Sequence, residues 1–234
     1  MSRALKVLCG FVVIGLVLAG VLVGGSYCVA MRAVQTRVAG RLGVDASQVH
    51  ASTSQKILLS VLTADTLDDL SIDVDQADLT VGGESLSLRS LHGGATGLSH
   101  VREPDELTAG TLEASAVMSW ADASTVSGMS LSWGGGGTIQ AVTTADVLGS
   151  VVPATLTATP AVAADGAITL QGAQVSIAGT DLPDALAQAV LDDVQDRLAL
   201  PGLPGGLDYS GLEAAQDGVT VAVSGQGVTL SRLF

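Results

Sequence analysis

The chain has 234 residues, of which 47% are hydrophobic and 3% aromatic, and its formal net charge is −13. One sizeable core is within reach of this length, because a domain of roughly 200 residues buries about 70% of its unfolded surface. All 23 acidic residues but only 8 of the 10 basic ones follow residue 30, which gives residues 31–234 a formal charge of −15. Such an acidic surface repels phosphate backbones, so we expect no nucleic-acid partner.

The N-terminal segment is apolar and contains no charged residue from position 7 to position 29. At about 1.5 Å per residue, a helix of that length spans a hydrocarbon core of roughly 30 Å. We therefore expect residues 1–30 to be an uncleaved signal-anchor, a single pass through the cell membrane, with residues 31–234 outside the cytoplasm. The alternative is a cleaved signal and a secreted or periplasmic domain, although Cys28 and Ala30 make a poor cleavage site. The bulky Tyr27 argues against a lipid-modified Cys28.

Residues that carry chemistry are sparse after this segment. Both cysteines, Cys9 and Cys28, precede residue 30, so no disulfide framework is available to the domain. The histidines lack the spacing of a zinc site, and neither a GxSxG nor an HExxH motif occurs. The adjacent acids Asp68-Asp69 and Asp192-Asp193 are typical of solvated charges. We expect no enzymatic activity, no cofactor and no metal.

Helical periodicity opens the domain. Residues Ala30, Val34, Val38 and Leu42 recur at every fourth position and predict a helix that ends at Gly43. The stretch "QKILLSVLTADTLDDL", residues 55–70, predicts a second helix. Its apolar face is formed by Ile57, Leu58, Val61 and Leu62.

Alternating apolar and polar residues follow and predict strands. The alternation of Leu70, Ile72 and Val74 changes phase before Leu79 and Val81, which predicts a bulge or break near residues 75–78 and a hairpin at Gly82-Gly83. Further strands are predicted from Leu112 to Trp120 and from Met129 to Trp133. The "GGGG" of residues 134–137 ends the latter, and it lacks the lysine and hydroxyl residue of a phosphate-binding loop.

The C-terminal part holds two similar segments with a helix between them. Both "ADGAITLQGAQVSI" and "QDGVTVAVSGQGVTL" read as a strand, a glycine break and a second strand. Between them, Pro183 favours the start of a helix, and Pro201 ends it. The connector "LPGLPGG" then turns the chain from helix to strand, so that its leucines can reach the surface that the helix covers. The apolar stripe of this helix is Leu186, Ala189, Val190, Val194 and Leu198.

The order of four segments points to a family. "PATLTATPAVAADGAITLQ", "LPDALAQAV", "LALPGLPGGLDYSG" and "QDGVTVAVSGQGVTL" follow one another after an apolar N-terminus. This succession resembles the LmeA-like phospholipid-binding family of actinobacterial cell-envelope proteins. The likeness covers most of residues 30–232 and is most specific over residues 153–232. Upstream, "ILLSVLTADTLDDLSIDV" is similar to the family's apolar helical turn before the first long strand.

The resemblance implies an α+β fold of the tubular lipid-binding, BPI-like (TULIP-like) type, in which a long twisted antiparallel sheet wraps around amphipathic helices and an apolar cavity lies between. The transmembrane helix would precede this domain. The implied function is to hold a phospholipid or related lipid in an apolar groove, in lipid transfer or envelope lipoglycan biogenesis. The expected lipid-binding residues are Ile57, Leu58, Leu62, Leu186, Val190, Val194, Leu203 and Leu207.

A different class of function stays open on the same residues. An envelope scaffold or glycan-interacting module without catalysis would have an ordinary packed core instead of a groove. Sugar recognition commonly uses exposed aromatic rings, and only Trp120, Trp133, Tyr209 and Phe234 are aromatic after residue 30. The scarcity of rings suits a flexible acyl chain, as it also suits an aliphatic core. The sequence does not identify a protein partner.

Overall fold

The computed structural model describes residues 32, 35–36, 38–40, 42–54, 65–81, 84–101, 103, 106–147, 150–163, 167–198, 203 and 205–230. This part of the chain is mostly β, with a six-stranded and a five-stranded antiparallel sheet and a few short helices. The predicted antiparallel architecture is confirmed, but two sheets stand where one long sheet was expected. The predicted transmembrane helix and the predicted boundary at residues 30 and 31 lie outside the described residues.

The six-stranded sheet has the order β1-β2-β3-β4-β11-β10, and the five-stranded sheet has the order β5-β6-β7-β8-β9. A single 3₁₀ turn at Ala46–Gln48 precedes the first strand. The helices are α1 (Trp120–Ser127) and α2 (Asp184–Leu198). The strands are β1 (Val49–Ser52), β2 (Thr66–Val81), β3 (Glu84–Ser99), β4 (Thr108–Met118), β5 (Ser130–Gly135), β6 (Thr138–Val147), β7 (Ser150–Val162), β8 (Ile168–Ile177), β9 (Thr180–Asp181), β10 (Leu207–Ala215) and β11 (Gly218–Thr229).

The end of the first predicted helix is confirmed. Residues 38–40 and 42 are helical, and Gly43 follows with a φ of 68°. The Val44 amide donates a 3.0 Å hydrogen bond to the Ala39 carbonyl, which is the Schellman arrangement that closes a helix on a left-handed residue. Glycine adopts that backbone conformation without a Cβ penalty, so Gly43 is the residue that ends the helix.

The second predicted helix is wrong in its last part. Residues 55–64 lie outside the described residues, but Thr66–Leu70 begin strand β2 instead of continuing a helix. Thr66 pairs with Ser99 and Leu70 pairs with Ala95 of β3. The ladder to β3 satisfies these backbone groups, and a non-local partner of this kind overrides local helical periodicity.

The predicted phase change in β2 is present, although β2 itself continues without a break. Val74 and Ala77 are both buried, three positions apart, while the pairing of β2 with β3 keeps one register along its length. The bulge lies one strand away, between Arg89 and His92 of β3 where it faces β4. Ser90, within that bulge, has a φ of 49°. The predicted hairpin is confirmed by the pairing of Val81 with Glu84.

A row of glycines crosses three neighbouring strands of the six-stranded sheet. Gly97 of β3, Gly110 of β4 and Gly227 of β11 lie opposite one another, and Gly97 and Gly227 have φ values of 61° and 60°. A Cβ added at Gly97 would lie 3.7 Å from the Cα of Gly110, so the strands approach closely there. On either side of this row the buried residues of one strand are three positions apart, as Ala109 and Leu112 are. The inward-facing positions of β4 thus change phase at this row, while its register with β3 and β11 stays constant there.

Strand β4 confirms the prediction up to Met118, but Trp120 begins helix α1 instead of ending the strand. The Ser119 hydroxyl accepts a hydrogen bond from the Asp122 amide at 3.1 Å, which caps the first turn of α1. Gly128 ends the helix with a φ of 69°. Trp120 is partly buried against the core, and its indole N–H donates to the carbonyls of Ala215 and Gln216 in the turn between β10 and β11.

The two similar C-terminal segments each form one strand, not two. The predicted glycine breaks are Gly172 in β8 and Gly227 in β11, both with a φ of 60°, and both strands continue through them. At Gly172 the register against β7 shifts by one residue. At Gly227 the register against β4 stays constant. In both segments the pairing with the partner strand continues past a glycine that, in the sequence alone, resembles a turn.

The two sheets meet along β10. This edge strand of the six-stranded sheet lies against β5, β6 and β7 of the other sheet, while α2 packs on β6, β7 and β8. Helix α1 packs on β5 and β11 and so spans both sheets. The inner face of the five-stranded sheet is consequently covered by α2 on one side and β10 on the other.

Candidate functional site

The inner face of the five-stranded sheet is made of small aliphatic residues at its centre. Ala141 of β6 and Ala154 and Ala158 of β7 are buried, and Leu156 lies between the two alanines of β7. Buried and more exposed residues alternate along β6 and β7, so the residues between the buried ones point outward. The remaining buried side chains of this face are Leu131, Ile139, Thr143, Leu170 and Val175.

Helix α2 covers this face, and the buried side chains occupy a smaller part of the helix circumference than the predicted apolar stripe. Val194 is 0% exposed and Val190 is 6% exposed, and Ala187, Leu191 and Leu198 pack partly buried beside them. Pro183 starts the helix as predicted, since its carbonyl accepts hydrogen bonds from the amides of residues 186 and 187. The prediction that Val190 and Val194 lie on the interior side of this helix is confirmed.

The prediction that Leu186 belongs to the buried apolar stripe of α2 is wrong. Its side chain is 39% exposed, and the neighbouring stripe residue Ala189 is exposed as well. With 3.6 residues per turn, each residue advances by about 100°, which places Leu186 about a quarter of a turn from Ala187 at the centre of the buried face. The buried stripe runs through residues 187, 190, 191, 194 and 198, so Leu186 borders it on the solvent side.

The connector after α2 brings two predicted leucines to the same interior. Leu207, the first residue of β10, is buried, and Leu203 packs partly buried against the core. Gly205 and Gly206 have φ values of 71° and 81°, which turn the chain into β10. A Cβ added at Gly225 of β11 would lie 2.9 Å from both the Gly206 carbonyl oxygen and the Leu207 side chain, so this turn is packed tightly on β11.

A short polar chain fixes α2 on the sheet. Thr143 is the one buried polar side chain of the described residues, and its hydroxyl donates to Asp193 Oδ2 at 3.4 Å. The same carboxylate oxygen lies 3.0 Å from Nε of Arg197 one helical turn further on. The buried hydroxyl is thereby satisfied, and the helix is held in one rotational setting by a residue that the apolar pattern did not single out.

Tyr209 lies near the junction of the two sheets. It is buried in β10, and burial raises the pKa of its phenol to about 12. In the sequence, Tyr209 stands out only as one of few aromatic residues, and its burial was not predicted. Its position two residues after Leu207 on a strand, and so on the same face, was the available signal.

The other predicted lipid-binding residues, Ile57, Leu58 and Leu62, lie outside the described residues. The structure therefore brings together Val190, Val194, Leu203 and Leu207, and it separates Leu186 from them. Within the described ranges, no group of three or more His, Cys, Asp or Glu side chains is placed to hold a metal ion. Over the same ranges, no helix is long and apolar enough to cross a membrane.

No protein-family model, curated protein or solved structure matches the chain.

Proposed function

We propose that the chain is an anchored cell-envelope protein that holds a phospholipid or a related lipid without turning it over. In this proposal residues 1–30 anchor the protein in the membrane, and residues 31–234 lie outside the cytoplasm as a tubular, BPI-like lipid-binding domain. The acyl chain lies between the inner face of the five-stranded sheet and helix α2, beside Leu203 and Leu207. The resemblance to the LmeA-like family favours a role in lipid transfer or lipoglycan biogenesis.

One observation carries the proposal, namely the small residues at the centre of a covered sheet face. Ala141, Ala154 and Ala158 are buried, yet each offers only a methyl group to the interior. A face of this kind is filled either by close approach of the helix or by a flexible apolar ligand. The surrounding side chains of the sheet face are aliphatic, and the hydroxyl of Thr143, which is buried among them, is satisfied by Asp193. An acyl chain needs such a lining and needs no polar partner along most of its length.

The test is to fill the interior from the helix side. Val190→Trp in the full chain is expected to displace the lipid with little change in thermal midpoint, because the ring occupies space that the acyl chain vacates. Lipids that co-purify with wild type and variant are quantified by mass spectrometry, and the midpoints are measured by circular dichroism. Ala154→Leu reaches the same space from the sheet side and gives a second, independent result.

The matched control is Val74→Trp in β2, where the original valine is also buried but lies in the six-stranded sheet. Overpacking there is expected to cost about 1 to 3 kcal/mol and to leave the lipid in place. If Val190→Trp and Ala154→Leu are as destabilising as the control and still carry lipid, the interior is an ordinary packed core. A wild-type protein that carries no lipid at all also contradicts the proposal and favours the scaffold alternative.

A further inference from the structure

The interior between the five-stranded sheet and helix α2 is closed in this structure. Ala154 and Leu156 of β7 are 0% exposed, and so is Val194 of α2. A lipid therefore reaches this interior only when one of the elements that cover the sheet face moves away from it. The two covering elements are β10 and α2, and they are attached to the rest of the domain in different ways.

Strand β10 is held by backbone hydrogen bonds. It pairs with β11 from Leu207 to Ala215, and β11 pairs with β4 in turn. Its start is also tightly packed, because a Cβ added at Gly225 of β11 would lie 2.9 Å from the Leu207 side chain. Moving β10 would break a ladder of the six-stranded sheet and leave backbone amides and carbonyls without partners, which is costly inside a protein. This cover is therefore the fixed one.

Helix α2 is attached mainly by side chains. Its backbone hydrogen bonds lie within the helix, so the helix can move as a unit without unpairing a strand. Pro183 precedes the helix, and Gly205 and Gly206 lie between the helix and β10 with φ values of 71° and 81°. Glycine changes its backbone conformation at lower cost than other residues do. The chain between α2 and β10 thus contains a pivot, and α2 is the cover that can open.

A polar contact holds one flank of α2 on the sheet. The Thr143 hydroxyl of β6 donates to Asp193 Oδ2 at 3.4 Å, and Arg197 Nε lies 3.0 Å from the same oxygen. The Asp193 side chain is 43% exposed, so the contact lies at the margin between helix and sheet. When the helix lifts, water can take the place of either partner, which keeps the cost of opening low.

An exposed leucine lies on the same flank. Leu186 is seven residues before Asp193, and at about 100° per residue the two side chains lie within about 20° of each other around the helix axis. Leu186 is 39% exposed and borders the closed interior. An apolar side chain at this margin offers an acyl chain its first contact before the helix has moved. The flank of Leu186 and Asp193 is therefore the side at which opening gives access.

We infer that α2 is a lid, which lifts from the five-stranded sheet at the flank of Leu186 and Asp193 to admit a phospholipid, and that the bond between Thr143 and Asp193 is its latch. The inference rests on the proposed function, since a lid serves only an interior that takes up a ligand. It assigns Asp193 a role in the rate at which lipid enters and leaves, and none in contact with the bound acyl chain.

The first test removes the latch. The full chain in detergent micelles is mixed with deuterated phosphatidylglycerol and re-isolated at intervals, and the slowly exchanging lipid is followed by mass spectrometry. Asp193→Ala is expected to speed this exchange about 2- to 10-fold, which is the range expected for loss of one hydrogen bond. The matched control is Asp192→Ala, because that carboxylate accepts a 2.8 Å hydrogen bond from Gln188 and lies away from the sheet. The control is expected to exchange lipid at the wild-type rate.

The second test locks the lid. Cys9→Ser and Cys28→Ser remove both native thiols, and Thr143→Cys with Asp193→Cys places one new thiol on each side of the latch. A short bis-methanethiosulfonate joins the two thiols, and dithiothreitol separates them again. Lipid exchange is expected to stop in the joined protein and to resume on reduction. The two single-cysteine variants, treated with the same reagent, are expected to exchange lipid throughout.

Equal exchange in the joined and the reduced protein, with lipid bound in both, overturns the lid and leaves the proposed function standing. A wild-type chain without slowly exchanging lipid overturns the proposed function and the lid together. If Asp192→Ala speeds exchange as much as Asp193→Ala does, the effect belongs to the charge of the helix, and the latch is overturned.

Discussion

The two sheets of the domain differ in how many large side chains they bury completely. Seven of the eight largest fully buried side chains are leucines of the six-stranded sheet or its flanks, and Leu156 of the five-stranded sheet is the eighth. The six-stranded sheet also buries alanines but surrounds them with these leucines, whereas the buried alanines of the five-stranded sheet lie beside Leu156 and under α2 and β10. The five-stranded sheet is therefore the one whose interior depends on α2 and β10 to fill the space over its alanines.

The outer faces differ as well. On the six-stranded sheet, Asp73 and His92 lie exposed side by side, with 2.6 Å between the carboxylate and the imidazole Nδ1, and Glu113 is exposed on β4. The outer face of the five-stranded sheet carries uncharged side chains such as Gln140, Thr155 and Gln174. Acidic charge is thus spread along one sheet and nearly withheld from the other.

The largest expected effect separates the two interiors. Leu112→Ala in β4 is expected to lower the free energy of unfolding by about 2 to 5 kcal/mol, because it leaves a cavity among other leucines. If the proposed function holds, the matched variant Leu156→Ala in β7 is expected to cost less, because a bound acyl chain would expand into the vacated space. Chemical denaturation of both variants measures the difference. Equal losses would place the two sheets in the same class of packed core.

Alkaline titration probes the region where the sheets meet. Burial raises the pKa of Tyr209 to about 12, above the value of the unfolded chain, so the folded state keeps a proton that the unfolded state loses. Stability is therefore fully present below pH 10 and falls by on the order of 2 kcal/mol as the pH rises towards 12. Denaturation at several alkaline pH values measures this slope, and Tyr209→Phe is expected to remove it. A Tyr209 that ionises near pH 10 in the folded protein would mean that the junction admits water.

Gly218 in the six-stranded sheet and Gly134 in the five-stranded sheet both have crowded surroundings, so substituting each tests how closely the backbone packs in its sheet. A Cβ at Gly218 of β11 would collide with the Met118 carbonyl oxygen of β4, and a backbone atom cannot rotate away. Gly218→Ala is therefore expected to cost about 1 to 3 kcal/mol. A Cβ at Gly134 of β5 would lie 2.5 Å from the Thr138 hydroxyl, which can rotate at the loss of its bond to Gly135. Thermal unfolding is expected to rank Gly134→Ala as the milder variant, and the reverse order would contradict the assigned contacts.

The smallest expected effect lies at the first strand of the six-stranded sheet. The Ser47 amide and hydroxyl lower the pKa of Asp45, which caps the 3₁₀ turn before β1. A carboxylate with a lowered pKa stabilises the fold above the unfolded value of 3.8 and loses that contribution as the pH falls through its folded pKa. Asp45→Asn is expected to lower stability slightly at neutral pH, where the carboxylate contributes, and to flatten the stability profile below pH 4, where the carboxylate is protonated in the wild type as well. A variant as stable as the wild type at neutral pH would show that the charge of Asp45 contributes nothing to the cap.

Local patterns predicted those elements whose signals lie within one segment. The alternation of Leu112, Ala114, Ala116 and Met118 predicted β4, and the proline-started stripe through Val190 and Val194 predicted α2. Both succeed because side-chain periodicity and burial coincide in these segments. The capping signal of α1, Ser119 followed by Asp122 and later by Gly128, was also present in the sequence, but the alternation that runs up to Trp120 obscured it.

The features that the sequence did not predict depend on residues that are remote in sequence. Gly172 and Gly227 resemble turns, and only the pairing with the neighbouring strand shows that each lies within a continuous strand, at a register shift in the case of Gly172 and without one in the case of Gly227. The division into two sheets follows from the pairing of β4 with β11, residues that are more than a hundred positions apart. The exposure of Leu186 likewise follows from the rotational setting of α2, which Thr143 on another strand fixes through Asp193. No local pattern contains these facts.

The pairing of β4 with β11 also determines the order in which the domain can be completed. The five-stranded sheet has its strands in chain order, so it can form as soon as residue 181 is available. The six-stranded sheet lacks its last two strands until residues 207–230 arrive, and until then β4 presents an unpaired edge. Strand pairing over such a separation is slow because the loop closes before contacts repay it. We expect the C-terminal hairpin to be the last part to fold, and the interval before it docks to be the period in which the emerging chain is most exposed to aggregation and proteolysis.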